Sequence, residues 1–237
     1  MKICVAVRTR DEERNIERFC SNYAWADKIL IADGGSQDKT KELALEFPNV
    51  LVRDFHEQIL MQKKMVRNPH GKHLNFLIDW AFAEEDADWI IMDDADCFPN
   101  FHLKRHAQRI MEETERSFVY ATRLYLYKNE GHFQKMAQPV KKGRWEPGLW
   151  AWSRYSGLRF REDTKPEEHQ KLTFTPCKQD IVMLMPPHCL LHCPWQDDEM
   201  IEEKLNFYRR SGEVKNMLHP LEANKFEVQE LPSWAVE

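Results

Sequence analysis

The sequence predicts an α/β protein: a mostly parallel sheet flanked by helices, giving way to a mixed or antiparallel C-terminal half. Three features predict it. Strand-like apolar runs alternate with helix-like stripes up to residue 100, polar residues collect where those strands stop, and past residue 115 the alternation breaks into longer strands and aromatic, turn-rich stretches. With 237 residues and no low-complexity linker or internal repeat, one domain over residues 1–237 is expected, with halves at 1–115 and 116–237.

Ile3, Val5 and Val7 open the first strand, and Thr9 with Glu12 is expected to cap the helix that follows. Ile16, Phe19, Cys20 and Tyr23 form that helix's apolar stripe. The run KILIAD is a second buried strand; the turn DGGSQD supplies Ser36 as the expected cap of a helix that turns Leu43, Ala44 and Phe47 inward. NVLVRDF is the third strand. A helix over 72–84, with Leu74, Leu77, Ile78, Ala81 and Phe82 on one face, precedes DWIIMDDAD. Such alternation implies parallel strands with right-handed crossovers and a ligand crevice at their carboxyl ends. Arg8, Arg10, Asp11, Asp33, Arg53 and Asp54 all fall on that edge. Beyond it, SFVYATRLYLY reads as a longer strand, DIVMLMPPHCLLH as two short strands, and DDEMIEEKLNFYRRSG as a helix starting near Asp197.

The net charge of −5, with Lys and Arg scattered along the chain, argues against an extended nucleic-acid surface. No apolar run approaches the roughly eighteen residues of a membrane span, and the charged start MKICVAVRTR does not read as a secretory signal; a cytoplasmic protein is expected. The six cysteines lack the spacing of a disulfide framework. In PHCLLHC, strand alternation would put His188 and His192 on one face and Cys189 and Cys193 on the other, so a zinc site there is set aside.

WIIMDDAD ends a strand in three carboxylates. Two carboxylates one residue apart at a strand end can both reach a hard cation, Mg²⁺ or Mn²⁺, leaving positions free for phosphate oxygens. Taken alone, the motif reads equally as a turn with capping aspartates.

Three separated stretches, VAVRTRDEERNIERF, WADKILIADGGSQDKTKELA and WIIMDDADCFP, together resemble the family 2 glycosyltransferases of the GT-A fold over roughly residues 2–100. The resemblance implies a metal-dependent transfer of a sugar from a nucleoside diphosphate donor, UDP- or GDP-linked, to a glycan or other hydroxyl acceptor, with inversion. Residues 1–115 would be the donor half and 116–237 the acceptor half. Thr9 and Glu12 match the family's first turn, whereas Arg8, Arg10 and Asp11 stand where Pro, an aromatic residue and Asn are usual; Arg10 is placed with them on the nucleotide side. Asp33 matches the aspartate that meets the base or ribose, Lys72 and Asn75 a donor-side segment, and Asp94 and Asp96 the metal pair, with Asp94 also on the donor side and Asp93 supporting. His192 is placed as the third metal ligand. The general base is sought in FREDTKPEEHQKL, at Asp163 and Glu168 in preference to Glu146, Glu162, Glu167 or Asp180. Trp145, Trp150, Trp152 and Tyr155 are read as either an acceptor platform or packing.

Rival readings are a non-catalytic nucleotide-sugar-binding module of the same fold and a phosphatase of the haloacid dehalogenase type, which places its Asp-x-Asp in the first strand. A nucleotidyltransferase would need a Gly-rich loop after the first strand, and RTRDEER has no Gly.

Overall fold

A computed structural model describes residues 1–57, 59–60, 66–67, 69–127, 129–136, 147–162, 172–173, 176–193, 226–230 and 233–236, with isolated positions 199, 202 and 206. In chain order the elements are β1 (Ile3–Thr9), α1 (Ile16–Asn22), β2 (Lys28–Asp33), α2 (Thr40–Ala44), β3 (Val50–Asp54) and a small hairpin of β4 (Ile59–Leu60) and β5 (Val66–Arg67). There follow α3 (His70–Asp79), which runs into a π-helical turn at Trp80–Glu84, then β6 (Trp89–Met92), β7 (Cys97–Pro99) and α4 (Phe101–Glu113). The second half supplies β8 (Phe118–Tyr127), β9 (Asn129–Met136), β10 (Pro147–Ser153), β11 (Ile181–His192), β12 (Phe226–Glu230) and α5 (Ser233–Val236).

Strands β6, β1, β2 and β3 lie side by side in that order, all parallel. The chain steps outward from β1 through β2 to β3, then returns to place β6 on the other side of β1. The strand order therefore reverses between β1 and β6, and a crevice opens at their carboxyl ends. On the far side of β6 the sheet becomes mixed: β10 is antiparallel to both β6 and β8, and β11 runs parallel to β8 but antiparallel to β7.

Both faces of the parallel half are covered, which is why its strands read as near-continuous apolar runs. Ile3, Val5, Val7, Ile29, Ile31 and Ile91 point into one core with Ile16, Phe19, Cys20 and Tyr23 of the first helical segment and Leu103, Ala107 and Met111 of α4. Cys4, Ala6, Leu30, Ala32 and Ile90 point the other way, against Leu74, Leu77, Ile78 and Trp80. The expected stripes of α1 and α3 are thus the stripes that pack.

Several local expectations differ. Neither Thr9 nor Ser36 caps a helix: Asn15 and Lys39 occupy the N-cap positions without side-chain capping bonds, because the two hydroxyls are engaged across turns. DIVMLMPPHCLLH is one strand of twelve residues rather than two; its register on β8 shifts between Leu184 and Cys189, which accommodates Pro186 and Pro187 where no ladder bond is required. The helix near Pro99 that goes with reading WIIMDDAD as a capped turn is α4, but its cap is Asn100, which accepts from the Leu103 N–H, and not an aspartate. The helix expected near Asp197, with Ile201, Leu205 and Tyr208, lies outside the described residues.

Candidate active site

The turn after β6 and the last residue of β11 meet at the crevice. β7 pairs antiparallel with β11, with His192 opposite Cys97. The Cys193 N–H donates to the Asp96 carbonyl (2.8 Å), and the Cys97 N–H to the Asp94 carbonyl (2.9 Å). That tight turn brings one ligand atom each from Asp94, Asp96 and His192 within 4.8 Å of one another. His192 Nε2 lies 3.0 Å from Asp96 Oδ1. Two carboxylates and an imidazole form a donor set that suits a divalent ion such as Mn²⁺. Strand alternation separates the histidines from the thiols as expected. Cys189 and Cys193 are buried with Phe98 and Leu191, while His188 pairs with His106 of α4 (2.9 Å).

Asp93, one residue earlier, has the opposite environment. Its side chain is fully buried; Oδ1 accepts from Arg123 of β8 (3.0 Å) and from the Asp94 N–H (3.2 Å), and Oδ2 from the Tyr23 hydroxyl (2.9 Å). Tyr23 in turn accepts from the Trp150 indole (3.3 Å). Burial pushes the Asp93 carboxyl up, against the Arg123 charge that favours ionisation, and burial pushes the Tyr23 phenol far up as well. This network ties the turn after β6 to α1, β8 and β10. Arg123, Tyr23 and Trp150 were not foreseen as its supports; the signal available was an unusual third carboxylate in a buried strand end.

The turns after β1 and β2 are laced to each other. Asp33, wholly buried, accepts at Oδ1 from the Thr9 hydroxyl (3.1 Å) and the Ser36 hydroxyl, and at Oδ2 from the Gly35 and Ser36 N–H groups (3.0 and 2.9 Å). The Asp11 N–H donates to Ser36 Oγ (2.9 Å), the Gln37 N–H to Asp11 Oδ1 (2.7 Å), and the Glu12 N–H to Thr40 Oγ1 (2.7 Å). Asp11 holds a left-handed backbone (φ 57°) to make this fit. Asp38 accepts from Thr40 and from the Glu13 N–H. Burial alone would raise the Asp38 carboxyl, but these hydrogen bonds outweigh it and hold the group low. Thr9, Glu12 and Asp33 thus belong to a clasp that binds the turns after β1 and β2 to each other.

The other expected residues have varied settings. Arg10 is exposed. Lys72 pairs with Glu57 (2.8 Å). Asn75 is buried and holds the 160–162 segment: its amide donates to the Phe160 carbonyl and Glu162 Oε1, and accepts from the Phe160 N–H. Beside it, a Cβ on Gly71 would sit 2.0 Å from the Arg161 carbonyl oxygen, so that helix must present glycine there. His73 donates from Nε2 to the Ala32 carbonyl (2.8 Å) and stacks on Phe55; burial brings its pKa down to about 4. Asp163, Glu168, Glu167, Glu146 and Trp145 lie outside the described residues. Trp150 and Trp152 are core residues, not a platform, and sit in opposite cores because the β10 register shifts at Trp150; Tyr155 is 86% exposed.

Comparison with known proteins agrees with this architecture. The sequence matches Glycosyl transferase family 2 over residues 4–182. No curated protein matched the chain. Among solved structures, S. aureus TarS is similar over 93% of this chain and 41% of its own (TM-score 0.54, 13% identity). The TarS 1–349 structure with UDP-GlcNAc is similar over 93% of this chain and 69% of its own (TM-score 0.54, 14% identity). The likeness shows a shared GT-A fold, and this chain spans less than half the length of that TarS chain. By its sequence match, the chain belongs to glycosyl transferase family 2.

Proposed function

We propose that this family 2 glycosyltransferase moves a sugar from a nucleoside diphosphate donor to a hydroxyl acceptor, with inversion, using a divalent cation held by Asp94, Asp96 and His192. The observation that carries the reading is the convergence of those three side chains, from two separate segments, at the point where the strand order reverses. When bound there, Mn²⁺ or Mg²⁺ would neutralise charge on the departing diphosphate.

The chain's own residues have separable tasks. Asp93, through Arg123 and Tyr23, holds the turn that aims Asp94 and Asp96. The clasp of Thr9, Glu12 and Asp33 holds the turns after β1 and β2 to each other, with Arg10 exposed on the same edge. Residues 1–115 make the donor half and 116–237 the acceptor half. The acceptor hydroxyl needs a carboxylate base, for which Asp163 and Glu168 remain the candidates. TarS has been solved with UDP-GlcNAc, so UDP-sugars are the first donors to test and GDP-sugars the second. A cytoplasmic site of action belongs to the same reading. The carboxylate pair follows β6 and not β1, which favours a transferase over a dehalogenase-type phosphatase.

The test is thermal denaturation with UDP or GDP, with and without Mn²⁺, and donor turnover with a panel of sugar acceptors. A stabilisation that requires Mn²⁺ and vanishes in Asp96→Ala is expected. Turnover lost in the same variant distinguishes an enzyme from a binding module. Equal shifts in both proteins, or no shift with any nucleoside diphosphate, would overturn the reading.

A further inference from the structure

Arg8 is the penultimate residue of β1, at the crevice and beside the metal turn. Its guanidinium approaches Asp94 Oδ1 at 3.6 Å, an ion pair too long to be a hydrogen bond. The side chain is 22% exposed, and among the described residues it donates no hydrogen bond. It also lies close enough to His73 to help lower that histidine's pKa, after burial. A half-sheltered guanidinium therefore stands at the crevice with its planar fork of donors uncommitted to acceptors among the described residues. The same position is usually proline in the family that the first strand resembles, and proline has no cationic side chain.

Charge gives this arrangement a direction. Asp94 and Asp96 contribute two negative charges, and the imidazole binds a metal in its neutral form. One divalent ion balances the carboxylates but leaves the diphosphate of a donor uncompensated. Breaking the bond between the anomeric carbon and the diphosphate oxygen leaves that oxygen with the electron pair, adding negative charge to the leaving group. A guanidinium suits phosphate oxygens better than a single carboxylate oxygen at 3.6 Å, because its paired N–H groups match two oxygens at once.

We propose that Arg8 is a catalytic residue of this chain that binds the donor diphosphate directly, exchanging its loose contact with Asp94 for phosphate oxygens as the nucleotide arrives. The proposal rests on the glycosyltransferase reading above. Arg8 then supplies the positive charge that the cation alone does not, and it does so from β1, whereas His192 comes from β11.

Calorimetric titration of UDP, GDP and uridine in the presence of Mn²⁺, and of Mn²⁺ alone, separates the possibilities for the wild type, Arg8→Gln and Arg8→Lys. The expected result is a loss of about tenfold or more in diphosphate affinity for Arg8→Gln, with partial recovery in Arg8→Lys. Uridine binding should be unchanged, and Mn²⁺ should bind the glutamine variant at least as tightly as the wild type. A diphosphate loss under about threefold, or an equal loss for uridine, overturns the role of Arg8. Wild-type protein that binds neither UDP nor GDP with Mn²⁺ overturns the broader reading instead, so the two failures are distinguishable. Unchanged urea midpoints for both variants guard against misfolding, and a variant that fails this control is replaced by Arg8→Met in the same titration.

Discussion

The turns after β2 and β6 both carry aspartates to the same edge of the sheet, yet they do opposite things. After β2, Asp33 is wholly buried and each oxygen already accepts two hydrogen bonds. After β6, the Asp94 side chain is 41% exposed and converges with Asp96 and His192. One turn uses its carboxylate to organise backbone; the other presents carboxylates to the crevice. A strand-end position is therefore insufficient to make an aspartate a ligand. What separates the two is what each carboxylate faces: Asp33 faces the hydroxyls and N–H groups of the first two turns, and Asp94 faces the crevice.

The sharpest way to break this contrast is to remove one carboxylate from each turn. Asp33→Ala strands the Thr9 and Ser36 hydroxyls and two backbone N–H groups, and should lower unfolding free energy by about 3–5 kcal/mol. Asp96→Ala should change it by no more than about 1 kcal/mol, while abolishing Mn²⁺ binding. Urea denaturation and calorimetry measure both; equal destabilisation would erase the distinction. Next in size is Arg123→Met, which leaves the buried Asp93 without its cation and should cost about 3 kcal/mol or more. Its Mn²⁺ affinity should also fall, because the metal turn loses its anchor.

Acidification probes the closed turn from its flank. His73 supports the end of β2 through the Ala32 carbonyl, and its folded pKa of about 4 lies below the ordinary value of 6.5. The unfolded chain takes up a proton near 6.5 that the folded chain refuses until about 4. Stability is accordingly complete above that window and lost as pH falls through it, by on the order of 3 kcal/mol. Denaturation midpoints between pH 7 and 4 should show this, and His73→Phe should flatten the curve. The smallest effect belongs to Asp38. Hydrogen bonds hold its pKa below 3.8, so its contribution is present above that pH and disappears only below it. Asp38→Asn should leave neutral-pH stability almost unchanged and remove a shallow slope at the acid end.

Much of the parallel half was legible because its signals are short-range. Alternation in KICVAVRT and the stripe Ile16, Phe19, Cys20 and Tyr23 lead directly to the observed elements and cores. The capping assignments failed for Thr9 and Ser36 because local spacing cannot reveal a competing partner more than twenty residues away. Their hydroxyls close the clasp across two turns. Packing, one of the two readings of Trp150 and Trp152, is the observed one, but how they pack depends on a distant partner in a similar way. Two residues apart in a regular strand they would share a face, but the register shift in β10 sends them into separate cores. Arg123 carried no sign of its role, since nothing local joins it to Asp93 across 30 positions.

By itself, the order of apolar periods and polar strand ends determined an α/β fold and the carboxylate pair at the crevice, while the family was legible only through the resemblance carried by three motifs. The fold and the pair depend on backbone direction and side-chain alternation, which neighbouring residues specify. Only the tertiary structure decided which aspartates are enclosed and which converge at the crevice, because that depends on groups brought from distant segments. Pairing of β7 with β11 delivers His192 to Asp96, Arg123 and Tyr23 bury Asp93, and the first turn closes over Asp33.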